Sequence, residues 1–179
     1  MPQIEIRPTL EGDILVLQQI DPSYRTSRVW QMERQIIQDQ ITVRFNQIKL
    51  PRTLSVGYPR QPDLTVGFQD GRATLAALTR GVVMGYICLQ ASTVTDTAWI
   101  TDVVVRDDLR RQGVGSGLVL AGHDWAASQG LRRMVIEMQS KNFPAVEMAI
   151  KLGYEFNGYH DSYFENHDIA LFYGRFLHR

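Results

Sequence analysis

The stretch VVVRDDLRRQGVGSG, residues 103–117, decides how the chain folds. A run of β-branched residues meets a charged turn, and Gly113, Gly115 and Gly117 lead directly into a second apolar segment. In that segment Val114, Leu118, Ala121 and Trp125 share one helical face, and Gly130 ends it. Glycines between a strand and a helix let main-chain N–H groups approach a ligand closely, and the helix N-terminus adds a partial positive charge. Arg110 and Arg111 flank the turn, so phosphate or pyrophosphate is the expected ligand. Two phosphate-binding motifs are excluded. A P-loop needs Gly-Lys, which occurs nowhere in the chain, and the dinucleotide fingerprint needs a small residue where Leu118 stands.

Working outward, RRMVIEMQ (132–139) reads as a strand with Met134, Ile136 and Met138 on one face and Val135, Glu137 and Gln139 on the other. Asn142 is placed to cap the next helix, with Pro144 in its first turn, Ala145, Met148, Ala149 and Leu152 as its stripe, and Gly153 as its stop. YEFNGY and DIALFYGRFL read as two closing strands. Upstream, RATLAALTR and VVMGYICLQ form a hairpin around Gly81, and TAWITDVVV is a third strand. A short strand at 3–7 and a helix with Leu10, Ile14 and Leu17 on one face, stopped at Asp21-Pro22, open the chain. Residues 26–69 carry β-branched and aromatic residues in partial alternation, broken by Pro51, Pro59 and Pro62, and read as one or two strands. The fold class is α/β, one mixed sheet flanked by helices, with local parallel pairing across the helical crossovers.

A length of 179 residues suits a single domain, residues 1–179. Nineteen basic and nineteen acidic side chains cancel, so no nucleic-acid partner is indicated. Arg106, Arg110, Arg111, Arg132, Arg133 and Lys141 form a local basic cluster in the sequence. The lone Cys88 excludes an internal disulfide and a cysteine zinc site, and in its apolar strand it reads as a small buried hydrophobe. The opening residues lack a signal peptide's apolar run and no stretch approaches a membrane span, so a cytoplasmic location with no membrane partner is expected. Three His-Asp pairs, at 123–124, 160–161 and 167–168, lack spacing that would join them into a metal site, and no metal is expected.

The string Arg110-Arg111-Gln112-Gly113-Val114-Gly115 resembles the acetyl-CoA signature of the GNAT superfamily of N-acetyltransferases, Gln/Arg-x-x-Gly-x-Gly/Ala. The later segment IEMQSKNFPAVEMAIKLGY resembles that family's second signature: a Glu-bearing strand, Ser-x-Asn, and a helix ending in Leu-Gly-Phe/Tyr. The order of elements fits from residue 3 to the C-terminus, least well over 26–69. The resemblance implies a GNAT-like fold whose central strands splay apart, with acetyl-CoA as cosubstrate. Val103, Val104 and Val105 would lie along the pantetheine arm, with the backbone of Val103 and Val105 pairing to its amides. Residues 111–116, including Arg111, Gln112, Gly113, Val114, Gly115 and Ser116, would cradle the pyrophosphate beside Arg110, and Asn142 would reach the cofactor while also capping its helix.

The implied reaction is direct transfer of the acetyl group to a primary amine of a protein N-terminus, a lysine or a small molecule, with no acyl-enzyme. Glu137 matches the family's acidic position and is a candidate base, the alternative being a structural or ion-pairing role with Arg132 or Arg133. Many members carry a tyrosine seven residues after the Asn as the acid for the thiolate, and here Ala149 stands there. Tyr154, Tyr159 and Tyr163 are the substitutes considered, and Tyr163 is the candidate in the loop expected to contact substrate. The Ala149 departure motivates an alternative reading as a non-catalytic acyl-CoA-binding or sensing domain. Acceptor choice would lie in residues 21–60 and 157–168. Family members often dimerise, so a homodimer is an expectation to test.

Overall fold

The computed structural model describes residues 4–177. Its elements in order are β1 (Glu5–Pro8), α1 (Glu11–Gln18), β2 (Tyr24–Ile37), β3 (Gln40–Val56), β4 (Phe68–Gln69), β5 (Arg72–Thr79), β6 (Val82–Ser92), β7 (Thr97–Val105), a 3-10 turn at Asp107–Leu109, α2 (Val114–Ser128), β8 (Arg133–Gln139), α3 (Phe143–Lys151), β9 (Glu155–His160) and β10 (Ala170–Phe176). The main sheet runs β1-β5-β6-β7-β8-β10-β9, with β4 on β5, and β2 pairs with β3 as a separate hairpin. All pairings are antiparallel except β7 with β8. The two crossovers therefore yield one parallel pair, because β10 inserts itself between β8 and β9.

Alternation along the central strands sorts side chains onto two faces. Ala73, Leu75 and Ala77 of β5 join Leu118, Val119 and Trp125 of α2 and Val146 and Ala149 of α3 in one cluster. Ala76 and Leu78 join Leu17 and Ile20 beneath α1 on the other. Burying a side chain of this size contributes roughly 1.5–3 kcal/mol. Leu17 alone of the expected α1 stripe is fully buried, while Leu10 is exposed. No helix among the described residues is long and apolar enough to cross a membrane.

Residues 26–69 form mostly the long hairpin β2–β3, of 14 and 17 residues. Pro51 is tolerated inside β3 because it faces the register shift between Thr26 and Arg28, where the ladder is interrupted. The hairpin is fastened to the sheet by Trp30 N–H, which donates to Ser140 O at 2.9 Å. Phe45 completes the attachment, its ring 5.1 Å from that of Tyr159 and 5.7 Å from that of Phe156.

Candidate active site

A single extra residue opens the sheet. Between β6 and β7 the register passes from Leu89↔Ile100 to Cys88↔Asp102, which leaves Thr101 bulged out of β7. The β7–β8 pairing ends at the same level, at Ile100↔Ile136. Beyond it β7 stays paired to β6 and β8 to β10, so the sheet splays into two halves. Arg106 N–H donates to Met84 O at 2.9 Å, so the alternate residues Val103 and Val105 turn their main-chain groups into the gap. Arg60 Nη2 holds Thr101 O at one end of this edge, and Arg110 Nε donates to Val105 O at 2.9 Å at the other. The main chain of Val103 lies between them, facing a cleft of about 420 Å³.

That cleft runs from the splay to the start of α2. Gly113 caps the helix at φ +87°, a conformation costly for any residue with a Cβ. The first helical bond is Gly117 N–H to Gly113 O at 2.9 Å, so the N–H groups of Val114, Gly115 and Ser116 have no partner within the helix. A Cβ on Gly115 would stand 3.2 Å from Met148 Sδ, so this is where α2 and α3 approach across the cleft. Gly113, Gly115, Ser116, Arg110 and Arg111 line the cleft, opposite Asn142, Pro144 and Met148. Val114 is buried and offers only its main chain, and Val104 borders the cleft while its side chain is buried with Leu17 of α1. The Gln112 side chain is tied back to Asp108 O at 3.2 Å. Arg110 braces the turn through Val105 O, Asp21 O and Asp107. Asn142 Oδ1 accepts from Ala145 N–H at 3.2 Å, which caps α3 while the residue borders the cleft.

At the splay the cleft continues into a recess of about 60 Å³ bordered by Ile100, Val103, Ile136, Glu137, Asn142 and Phe164. Glu137 is the first β8 residue past the last β7 pair and is 8% exposed. Its Oε1 accepts from Arg60 Nη1 at 2.5 Å and its Oε2 from the Tyr163 hydroxyl at 3.0 Å. The ion-pair partner is thus Arg60, neither Arg132, which pairs with Asp96, nor Arg133, which bonds Asn157. Arg60 Nε also donates to Asp102 Oδ1 at 3.2 Å, and Tyr58 donates to the same oxygen at 2.8 Å. Burial works against the Arg60 charge, but Asp102 and Glu137 outweigh it and raise its pKa. Burial, then Asp102, holds the Tyr58 phenol well above its ordinary range, and burial followed by Glu137 raises that of Tyr163.

Tyr58, Arg60 and Asp102 carried no assignment in the sequence reading. Asp102 had a signal: a carboxylate inside TAWITDVVV, buried in an apolar strand, requires a cation or donors. Tyr58 borders both the cleft and the recess, and Tyr24 reaches the cleft with its hydroxyl on Gln139 Oε1 at 2.8 Å. Ala149 is fully buried in the core, so the family's usual acid position ends in a methyl group. Tyr154 is buried against His123, whose Nε2 lies 2.7 Å from its hydroxyl. Burial, then Asp102, pushes the Cys88 thiol up, away from reactivity. The basic cluster seen along the sequence disperses: Arg106 pairs with Asp108 and Lys141 with Asp168. Among the described residues no group of three or more His, Cys, Asp or Glu side chains is placed to hold a metal ion.

Comparison with known proteins accords with this geometry. Residues 39–154 match the acetyltransferase (GNAT) family. No curated protein matches the chain significantly by sequence. Among solved structures, a nourseothricin acetyltransferase is 19% identical, with a TM-score of 0.82 over 98% of this chain and 99% of that one. A protein assigned as a streptothricin acetyltransferase from Bacillus anthracis str. Ames, in complex with acetyl coenzyme A, is 18% identical, with a TM-score of 0.79 over the same shares. The ribosomal-protein-S18-alanine N-acetyltransferase from Escherichia coli is 17% identical and matches 63% of this chain and 73% of its own, with a TM-score of 0.55. A bulged and splayed sheet, a glycine turn at a helix N-terminus and the family match converge on one conclusion: the chain belongs to the GNAT family and is an acetyl-CoA-dependent acetyltransferase.

Proposed function

We propose that the protein transfers the acetyl group of acetyl-CoA directly to a primary amine, with the pyrophosphate at the start of α2, the pantetheine along β7 and the thioester at the splay. The observation that carries this reading is the position of Glu137, which stands where β7 and β8 part, in a recess continuous with the cleft. N–H groups of residues 114–116 would bind the pyrophosphate, helped by the helix N-terminus and Arg111. Val103 would pair with pantetheine amides as a neighbouring strand would, and the Asn142 amide would reach the cofactor from α3.

The acceptor enters as an ammonium, since a lysine-like amine has a pKa of about 10.4. Glu137, directly or through a water, takes one proton, and the freed nitrogen lone pair attacks the thioester carbon. The C–N bond forms, the tetrahedral intermediate collapses as the second N–H proton passes to sulfur, and the C–S bond breaks with its electron pair on that sulfur, giving the amide and the CoA thiol. Tyr163 acts by holding Glu137 Oε2 and is a positioning residue in this scheme. Tyr58 borders both cavities, but its hydroxyl is committed to Asp102 at 2.8 Å, so the thiolate takes its proton from the attacking nitrogen and Glu137 returns its own to solvent. A thiol of pKa near 8.5 leaves tolerably even without full protonation, so the absence of a phenol at position 149 is bearable. The full-length likeness to proteins named for nourseothricin and streptothricin, against a partial likeness to a protein-directed enzyme, favours a small amine-bearing acceptor.

The test is calorimetric titration with acetyl-CoA, CoA and ATP, followed by thiol release on a panel of amines and peptides. Selective binding of the CoA species with amine-dependent thiol release is expected. Binding without release on any amine would favour the sensing alternative, and no CoA selectivity would remove the cofactor assignment.

A further inference from the structure

The recess holds a cation of the protein's own where the reaction needs one from outside. Arg60 is carried in by the segment between β3 and β4, and its three nitrogens are all engaged, with Asp102, Glu137 and Thr101 O. Asp102 and Glu137 are nearly excluded from solvent, at 2% and 5% side-chain exposure, while Arg60 retains 29%. Two carboxylates against one guanidinium leave one negative charge in excess. The bond to Glu137 is one of three made by Arg60, and losing it still leaves the guanidinium on Asp102 and the bulge carbonyl. Asp102 is in turn fixed by Tyr58.

Resting on the acetyl-transfer reading above, we propose that the acceptor's ammonium binds Glu137 Oε1 in place of Arg60 Nη1, with Asp102 retaining the displaced guanidinium. Arg60 is then a positioning residue, a resident stand-in that keeps Glu137 paired until an acceptor arrives and leaves it free to take a proton afterwards. The exchange defines the substrate class. Beside its polar groups the recess is bordered by Ile100, Ile136, Met138 and Phe164, which suit the first carbons of a methylene stem. Its remaining charge is negative, so a carboxylate on the amine-bearing carbon would be brought against Glu137 and Asp102 in a site with little water to screen it. The acceptor is a primary alkylammonium on an apolar stem with no carboxylate beside the amine, as at the end of a side chain or a polyamine, and an α-amino acid's own amine is refused.

The matched probes are n-pentylamine and norleucine, which differ by the single carboxylate on the amine-bearing carbon. With the CoA-bound wild-type protein, calorimetry is expected to show n-pentylammonium binding at least about tenfold more tightly than norleucine. Equal binding overturns the proposal, and this comparison needs no variant. In Arg60→Met the competitor is removed and the recess gains net negative charge, so n-pentylammonium is expected to bind about tenfold more tightly than to wild type. Weaker or unchanged binding in a folded variant overturns the stand-in role, because a purely structural arginine predicts loss. Thiol release from acetyl-CoA is scored separately. An n-pentylammonium that binds selectively but is never acetylated removes the transfer reading and leaves the ammonium site standing. Norleucine acetylated as fast as n-pentylamine does the reverse.

Discussion

The two ends of the cleft are built from different materials. The end at α2 is made by residues close together in sequence that present main-chain groups to the cleft, as at Gly113, Gly115 and Ser116. The end at the splay is made by side chains from distant segments: Arg60 meets Glu137 across 77 positions and Asp102 across 42, and Tyr163 arrives from the loop after β9. A main-chain site leaves its trace as a string, because glycine spacing and turn geometry are local. A side-chain site leaves only isolated letters, each of which also has an ordinary structural explanation.

The sharpest separation of the two ends comes from Glu137→Gln. Turnover is expected to fall by about 10²–10⁴ while acetyl-CoA affinity, measured by calorimetry, stays within about twofold. Gly115→Leu should do the opposite at the other end. The side chain would collide with Met148 and fill the approach to the α2 N–H groups, and a loss of CoA affinity of roughly a hundredfold is expected if several charge-assisted bonds are forfeited. Retained affinity would show that the pyrophosphate lies elsewhere.

How much could be read in advance follows the same division. The segments from 72 onward were legible because β5 to β8 and α2 each bury an apolar face, so their periodicity is forced. The hairpin β2–β3 was not, since β2 buries only Tyr24 and Thr26 and β3 buries none of its residues fully. Without a buried face there is no reason for apolar residues to alternate. Its turn also lacks the usual glycine: Gln38 adopts φ +53° there. Glu137 and Asn142 were singled out through a motif, whereas Arg60, in GYPRQPDLTVG, sits between prolines with nothing to mark it as a partner for Asp102 or Glu137.

Smaller changes refine the contrast. Asp102→Ala would release Tyr58 and one arm of Arg60 together, and thermal or urea unfolding should register a loss of about 2 kcal/mol, below the range of about 3–5 for a fully buried pair because Arg60 keeps some contact with water. Asn142→Ala removes the α3 cap and should cost about 1 kcal/mol by the same measurement. The slightest effect is expected far from the cleft. Burial, then the Arg175 charge, holds His123 below its ordinary pKa of 6.5. The folded state therefore binds fewer protons than the unfolded one, so this contribution is complete above pH 6.5 and fades as pH falls through the folded value. Melting temperature should drop on going from about pH 7 to pH 5, and His123→Gln should flatten that slope.

The bulge at Thr101 sets binding and endurance against each other. A β7 without the extra residue would continue in register with β8 past Ile100, and the main-chain groups now offered to a ligand would be satisfied within the sheet. Such a protein is expected to withstand heat better and to lose the open edge along which the proposed pantetheine pairing would run. A lineage selected for thermal tolerance alone would be expected to lose this residue, and one selected for turnover to keep it. On this reading, one residue's worth of slack separates a closed sheet from one that can take up a ligand as a further strand.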